Sequence, residues 1–347
     1  MMRLPLSWLL AFTTAALALL LLGSLATGPM TLTLGESLRA LFAGQESGIE
    51  SHKLLIVQEI RLPRTLLCIA VGGILGLCGA VMQGLFRNPL ADPGIIGVSG
   101  GAALGAALAI VLLAPLAPQY GQQLQATIGV GLLPLLAFLG GALTTTLVYL
   151  LGTREGGTSV TVMLLAGVAI TALSGAVIGL LTYLADDQML RNLSLWQMGT
   201  LAAGKPADVA LALLTLAALL WLFMRDANPL NALLLGEGEA RHLGVNVQSL
   251  KRRLILLTAA GVGVAVAVSG MIGFVGLVVP HLVRLLAGPN HVRLLPLSAL
   301  LGAALLLAAD MLARTLLAPA ELPVGIITAL LGAPFFIWLL VKGRRAL

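Results

Sequence analysis

Residues able to do chemistry are scarce in this chain, and many of them fall in one stretch. From Arg225 to Arg253 it reads RDANPLNALLLGEGEARHLGVNVQSLKRR, a hydrophilic island between long apolar runs. Charge in that quantity does not stay in hydrocarbon, so the island must face water. It holds no nucleophile–base pair; what it offers is a docking surface. The pattern predicts a short helix from Glu237 to Leu243 with Gly244 as its C-terminal cap. A second amphipathic turn follows, ending in Lys251, Arg252 and Arg253. A membrane protein with one structured aqueous elbow is expected to draw its energy from a soluble partner.

The other chemical candidates are isolated. Asp310 lies between Ala309 and Met311 deep in an apolar run, where an ionisable group is a functional candidate by default. It could carry a proton or pair with a neighbouring helix, and the absence of a second buried carboxylate favours pairing. Gly199 to Lys205 fits G-x-x-x-x-G-K, but Pro206 stands where a phosphate loop needs Ser or Thr, and no strand precedes it. The chain is therefore not expected to hydrolyse ATP. Cys68 and Cys78 fall ten residues apart in one apolar run, too far to bridge. Two Cys and four His show no metal-ligand spacing. Arg61, Arg64 and Arg314 each end a span on the same side. They could snorkel to phosphates or meet an acidic partner or anionic ligand. In Arg87–Gly94, Asp92 and Pro93 read as a cap and first residue of the next helix. Thr158, Ser159 and Thr161 open another span, as N-caps or as a narrow polar gate. Arg191 lies in a short outer helix, free to pair with Asp186 or Asp187 or to meet ligand carboxylates.

These residues are positioned by a chain that is almost wholly membrane. It is 59% hydrophobic and 10% charged, with mean hydropathy +1.04; soluble domains carry about 25% charge. The net charge of +6 does not indicate nucleic acid, because the basic residues lie in loops rather than in a stripe interleaved with aromatics. Ten spans are expected: 6–27, 61–85, 94–114, 127–152, 160–184, 207–224, 251–269, 273–287, 293–317 and 324–342. The run from Leu6 to Ala26 is long for a signal sequence and is read as a retained first helix. The span at 273–287 is short and ends in Pro280, His281 and Arg284, so it should pack inside the protein. Placing the N-terminus inside puts thirteen of the 20 Lys and Arg residues in cytoplasmic segments, which favours N-in, C-in and a cytoplasmic island. Residues 71–105 and 261–302 share a layout and begin on opposite sides, a faint inverted repeat of the kind transporters use. Gly72–Gly76, Gly97–Gly101–Gly105 and Gly175–Gly179 carry the i, i+4 spacing of close helix packing. The fold class expected is an all-α polytopic membrane protein, one permease domain over 1–347 with 225–253 as a cytoplasmic region within it.

Seven stretches taken together resemble a known family: RLPRT (61–65), GAVMQGLFRNPLADPGIIGVSGGA (79–102), LLAGVAI (164–170), LLLGEGEARHLGV (233–245), GFVGLVVPHLVRL (273–285), LLAADMLAR (306–314) and ELPVGIITALLGAPFFIWLL (321–340). The chain resembles the permease subunits of type II ABC importers for cobalamin, iron–siderophores and heme, from about residue 55 to 342. The resemblance implies a homodimer with the pathway at its interface. It further implies two ATPase subunits beneath that hold ATP and Mg²⁺, with no cofactor on this chain, and a periplasmic substrate-binding protein above, in a bacterial inner membrane. It makes Gly236, Glu237, Glu239, Ala240, Arg241, Leu243 and Gly244 an ATPase-coupling helix. Arg61, Arg64 and Arg314 become docking residues for the binding protein, and Thr158, Ser159 and Thr161, with Arg191, belong to the gate and pathway. The stretch TYLADDQMLRNLSLWQMGTL (182–201) looks most like the heme importers, although cobalamin members also carry an arginine at the position of Arg191. Ferric siderophore and cobalamin stay open as cargo, and an ion-coupled secondary transporter using Asp310 is the rival from another class.

Overall fold

Apolar runs of this length become helices because a helix satisfies its backbone polar groups internally, which hydrocarbon demands. The computed structural model describes residues 5–42, 50–116, 121, 131–154, 157–202 and 204–344; the start of the span expected from residue 127 lies outside them. Among the described residues, eight helices are long and apolar enough to cross a bilayer. They are α1 (Leu6–Ala26), α3 (Ser51–Leu85), α4 (Val98–Leu116), α5 (Leu132–Gly152), α6 (Val160–Leu184), α8 (Pro206–Arg225), α11 (Val247–Ser269) and α13 (His291–Thr315). The shorter α12 (Val275–Ala287) and the apolar stretch Val324–Leu339 of α14 (Val324–Arg344) complete the expected ten. Outside the spans lie α2 (Leu34–Phe42), α7 (Asp187–Gln197), α9 (Ala227–Leu234) and α10 (Glu237–His242).

Three local features differ from expectation. The helix leading into the second span starts ten residues early, at Ser51, and passes through a π-helical turn at Ile56–Arg61. A two-stranded ribbon, β1 (Thr153–Arg154) with β2 (Gly157–Thr158), joins α5 to α6 in register Thr153↔Thr158 and Arg154↔Gly157. The hydrophilic island holds one helix more, α9, and its last amphipathic turn is the start of α11 rather than a separate element.

The core forms around α3, whose apolar window is 89% buried, against 17% for α1 and α6. Glycine makes this possible. A Cβ on Gly72 or Gly76 would collide with the carbonyls of Gly302 and Ser298 on α13, and one on Gly79 with that of Gly276 on α12. Gly101 and Gly105 on α4 stand equally close to α5. Gly175 and Gly179 differ, with nothing within 4 Å of an added Cβ. The short α12 packs inward as expected: Arg284 donates to Gln83 Oε1 at 2.9 Å, and Gln83 Nε2 to the Leu277 carbonyl at 3.1 Å. Cys68 and Cys78 are buried free thiols within α3.

The segments between helices gather at two ends, as ten alternating crossings require. At one end the ribbon, α9, α10 and the Asn290 turn meet: Thr158 binds α11, and Asn231 Nδ2 donates to Asn290 Oδ1 at 3.0 Å. At the other end the Thr200 N–H donates to the Ser269 carbonyl at 2.8 Å, and the Gly325 N–H to the Met198 carbonyl at 3.1 Å. Between α3 and α4, Asp92 Oδ1 accepts from the Gly94 N–H at 2.7 Å and opens a 3-10 turn at Pro93–Ile96, before α4 begins at Val98. Burial pushes its carboxyl above the usual range, and that hydrogen bond offsets part of the rise.

Candidate functional site

The elbow helix α10 is shaped by its two ends. Gly236 enters at φ +123°, and Gly244 leaves at φ +82°, values that favour glycine. The Val245 N–H donates to the Ala240 carbonyl and the Gly244 N–H to the Arg241 carbonyl, both at 2.9 Å. These two bonds are a Schellman C-cap, with Val245 against Ala240. Ala240 is fully buried, so the helix lies with one face down, while Glu239, Arg241, Leu243 and Gly244 are exposed. Leu235 and Leu243 stand 68% and 64% exposed at either end of the acidic segment. A mixed apolar and charged knob of this kind, held outside the bilayer, fits a cleft in a soluble partner.

Beneath α10 lies a contact that inspection of the sequence missed. Lys251 is 2% exposed. Its Nζ reaches Glu237 Oε1 at 2.6 Å and the Thr158 carbonyl at 3.0 Å. One turn earlier, Gln248 Oε1 accepts from the Thr158 N–H at 3.0 Å. The signal was present, because Val247, Leu250, Lys251, Leu254 and Ile255 follow the i, i+3, i+4, i+7, i+8 spacing of one buried stripe. A lysine in that stripe has to find partners. Nearby, Arg253 Nε donates to Asp226 Oδ2 at 2.7 Å and ties the island to α11.

The hydroxyls expected at the gate separate into different tasks. Ser159 caps α6, accepting from the Val162 N–H at 3.4 Å. Thr158 is buried in the ribbon with its hydroxyl 3.1 Å from that of Thr153. Thr161 is exposed on the first turn of α6.

At the opposite end the three arginines do come together, but not as an exposed docking set. Arg61, Arg64 and Arg314 are 4%, 5% and 2% exposed. Arg64 Nε and Nη2 fork onto Asp310 at 2.9–3.1 Å, and its Nη1 donates to Glu321 Oε2 at 2.7 Å. Arg314 Nε stands 3.0 Å from Asp310 Oδ2, while its Nη2 donates to Ser24 Oγ at 2.7 Å. Arg61 spends its donors on the end of α1, the Leu25 and Ala26 carbonyls at 2.8 Å and that of Met30. Within the single chain, helices α1, α3 and α13 use these guanidiniums against one another, and only the complex with a binding protein tests the docking expected of them. Asp310 is the paired residue that its lack of a second carboxylate suggested.

Over residues 16–342 the chain matches the FecCD transport family. It belongs to that family. It is 47% identical to the hemin transport system permease protein HmuU of Yersinia pestis, across 97% of this chain and 96% of that protein. Identity is 43% to the cobalamin import permease BtuC of Halobacterium salinarum, across 87% and 77% of the two chains. It is also 43% to the vitamin B12 import permease BtuC of Vibrio cholerae, across 83% of each. A solved inward-facing structure of a metal-chelate type ABC transporter superposes with TM-score 0.81 at 34% identity, covering 97% of this chain and 99% of that one. PsaBC from Streptococcus pneumoniae shares the fold, with TM-score 0.57 at 19% identity. This chain is therefore the multi-pass inner-membrane permease of an ABC importer, in a family whose members work with ATPase subunits and a binding protein.

Within this family fold, α7 lies at the end opposite the elbow, capped by Asp186, which accepts from the Met189 N–H at 2.8 Å. Arg191 is exposed there, and among the described residues no ion pair joins it to Asp186 or Asp187. Of the two alternatives open for it, the ion pair with Asp186 or Asp187 is not formed among the described residues. The Gly199–Lys205 match falls in the turn after α7, where Gly199 packs on Met271. That is a turn between helices, with no strand to make it a phosphate loop; Ala203 lies outside the described residues.

Proposed function

We propose that this permease carries heme inward as a homodimer, powered by two ATPase subunits and fed by a periplasmic binding protein. The observation that carries the cargo is the 47% identity to a hemin permease along nearly the full length of both chains. The exposed Arg191 supports it as well, since heme bears two carboxylates that a guanidinium can meet. Cobalamin is the second reading, favoured by relatives at 43% identity.

Energy enters at the elbow. Closing ATPases move α10 through its exposed face, formed by Glu239, Arg241 and Leu243, and the pathway changes the side on which it opens. Asp310 speaks against ion coupling, because both of its oxygens are already engaged by Arg64 and Arg314 in the packing of α3 on α13. An acidic group of the binding protein reaches the arginine cluster only by displacing Glu321 from Arg64.

The test is uptake into liposomes containing this chain, its ATPase and its binding protein, with heme, a ferric siderophore and cobalamin offered in parallel. Heme uptake that requires both ATP and the binding protein is the expected result. Uptake of cobalamin instead keeps the machine and replaces the cargo. Uptake that ignores ATP and collapses with the proton gradient would sink the reading.

A further inference from the structure

We infer that Lys251 is the tie through which the elbow helix drives the gate ribbon, so that losing it uncouples ATP hydrolysis from cargo movement. The inference rests on the reading of α10 as the ATPase-coupling helix.

An ammonium does not stay buried without partners. Lys251 has two, and they belong to different moving parts. Glu237 is the first residue of α10, and its carboxylate accepts from Nζ at 2.6 Å. Thr158 is the last residue of the ribbon, and its carbonyl accepts from the same nitrogen at 3.0 Å. Gln248 takes the other backbone group of Thr158, so α11 holds that residue by both its N–H and its C=O. The next residue, Ser159, caps α6. A displacement of Glu237 therefore loads Nζ and passes to Thr158 and the first turn of α6, through a lysine whose side chain is 2% exposed and packed in place. Bonds to charged groups are about twice as strong as neutral ones, so this junction gives way after its neutral neighbours. Gly157 fits the same purpose. Its φ of +112° and its closeness to the Gln248 amide leave no room for a side chain between ribbon and α11.

The test compares the wild type with Lys251→Met, Glu237→Leu and the double variant, each assembled with ATPase and binding protein in liposomes. The readout is cargo moved per ATP hydrolysed, using whichever of heme, ferric siderophore or cobalamin the wild type carries. The Lys251→Met chain should still co-purify with the ATPase but move about tenfold less cargo per ATP, the scale of one lost charge-assisted hydrogen bond. The double variant should be no worse than Lys251→Met alone, because the bond lost at Glu237 is already gone once Lys251 is replaced. An unchanged ratio in Lys251→Met, or losses that multiply in the double variant, overturns the tie. Should Lys251→Met fail to fold, Glu237→Leu decides, because Glu237 is only half-buried and the change leaves no acceptor for Lys251 on α10 and no cavity; an unchanged ratio there overturns the inference equally. A parallel pair on the exposed face, Glu239→Arg with Arg241→Glu, tests the underlying reading. If that pair leaves ATPase binding and transport intact, the coupling reading falls and takes the tie with it. If the pair abolishes ATPase binding while Lys251→Met behaves as wild type, the tie alone falls.

Discussion

Asp310 is fully buried between two guanidiniums, and that placement decides what the residue can do. Breaking a buried ion pair by removing one partner costs about 3–5 kcal/mol, because the remaining charge is stranded. Asp310→Asn keeps the volume, takes from Arg314 its carboxylate and leaves Arg64 with Glu321 alone. It should lower the melting temperature of the purified chain sharply, while the assembled fraction still transports with no new dependence on the proton gradient. Retained stability with lost transport would instead return Asp310 to the pathway. Glu321 offers the complementary experiment, since its side chain is one-third exposed and occupies Arg64 Nη1. Glu321→Gln should tighten the binding protein on this permease if an acidic group competes for Arg64. Unchanged affinity in a binding titration means that the cluster is purely internal. How far these residues could be read in the sequence depended on distance along the chain. Asp310 and Arg314 are four apart, one helical turn, and that pairing is visible in a string of letters. Arg64 meets Asp310 only because α3 packs on α13, a fact of tertiary structure. For the same reason three arginines that look like an outer surface turn out to be a seam.

Among elements, the ten apolar helices were legible because hydropathy and length alone specify a spanning helix. The short pieces were not: the ribbon and the π-helical turn have no periodicity of their own, and α9, whose Ala227, Leu230 and Leu233 do line one buried face, is only eight residues long. The elbow helix α10 was the exception, legible from glycines that close it at both ends. Glycine spacing also proved less uniform in meaning than it looks. Gly79 lets α3 touch the backbone of α12, whereas Gly175 on α6 faces open space. Overpacking a close helix contact costs about 1–3 kcal/mol. Gly79→Ala should therefore destabilise the folded chain by that order in thermal melts, and Gly175→Ala should leave the melt of the isolated chain unchanged. Equal effects at the two positions would mean that α3 and α12 can separate at little cost.

At the scale of the whole molecule, α1 and α6 are the spans least covered within a single chain, and in the proposed homodimer one of them has to meet the second copy. Both helices have apolar windows only 17% buried. The exposed side of α1 carries Trp8, Phe12 and Leu19, bulky side chains suited to lipid. The exposed side of α6 carries bulky residues too, Leu165, Val168, Leu173, Leu180 and Tyr183, but between them Ala172, Gly175, Ala176 and Gly179 leave a run along which another backbone can approach closely. In the proposed homodimer a second copy approaching along those small residues would make α6 a wall of the pathway between the two. The ribbon that Lys251 holds leads directly into the first turn of α6, so motion started at the elbow would arrive at that wall. Cysteine placed at Gly175 or Gly179, with Cys68 and Cys78 first replaced by alanine, should cross-link two copies in membranes treated with a bifunctional thiol reagent. Cysteine at Phe12 should not. Cross-linking at Phe12 but not on α6 would move the interface to α1, and with it the pathway, leaving the elbow's motion to reach the cargo by another route.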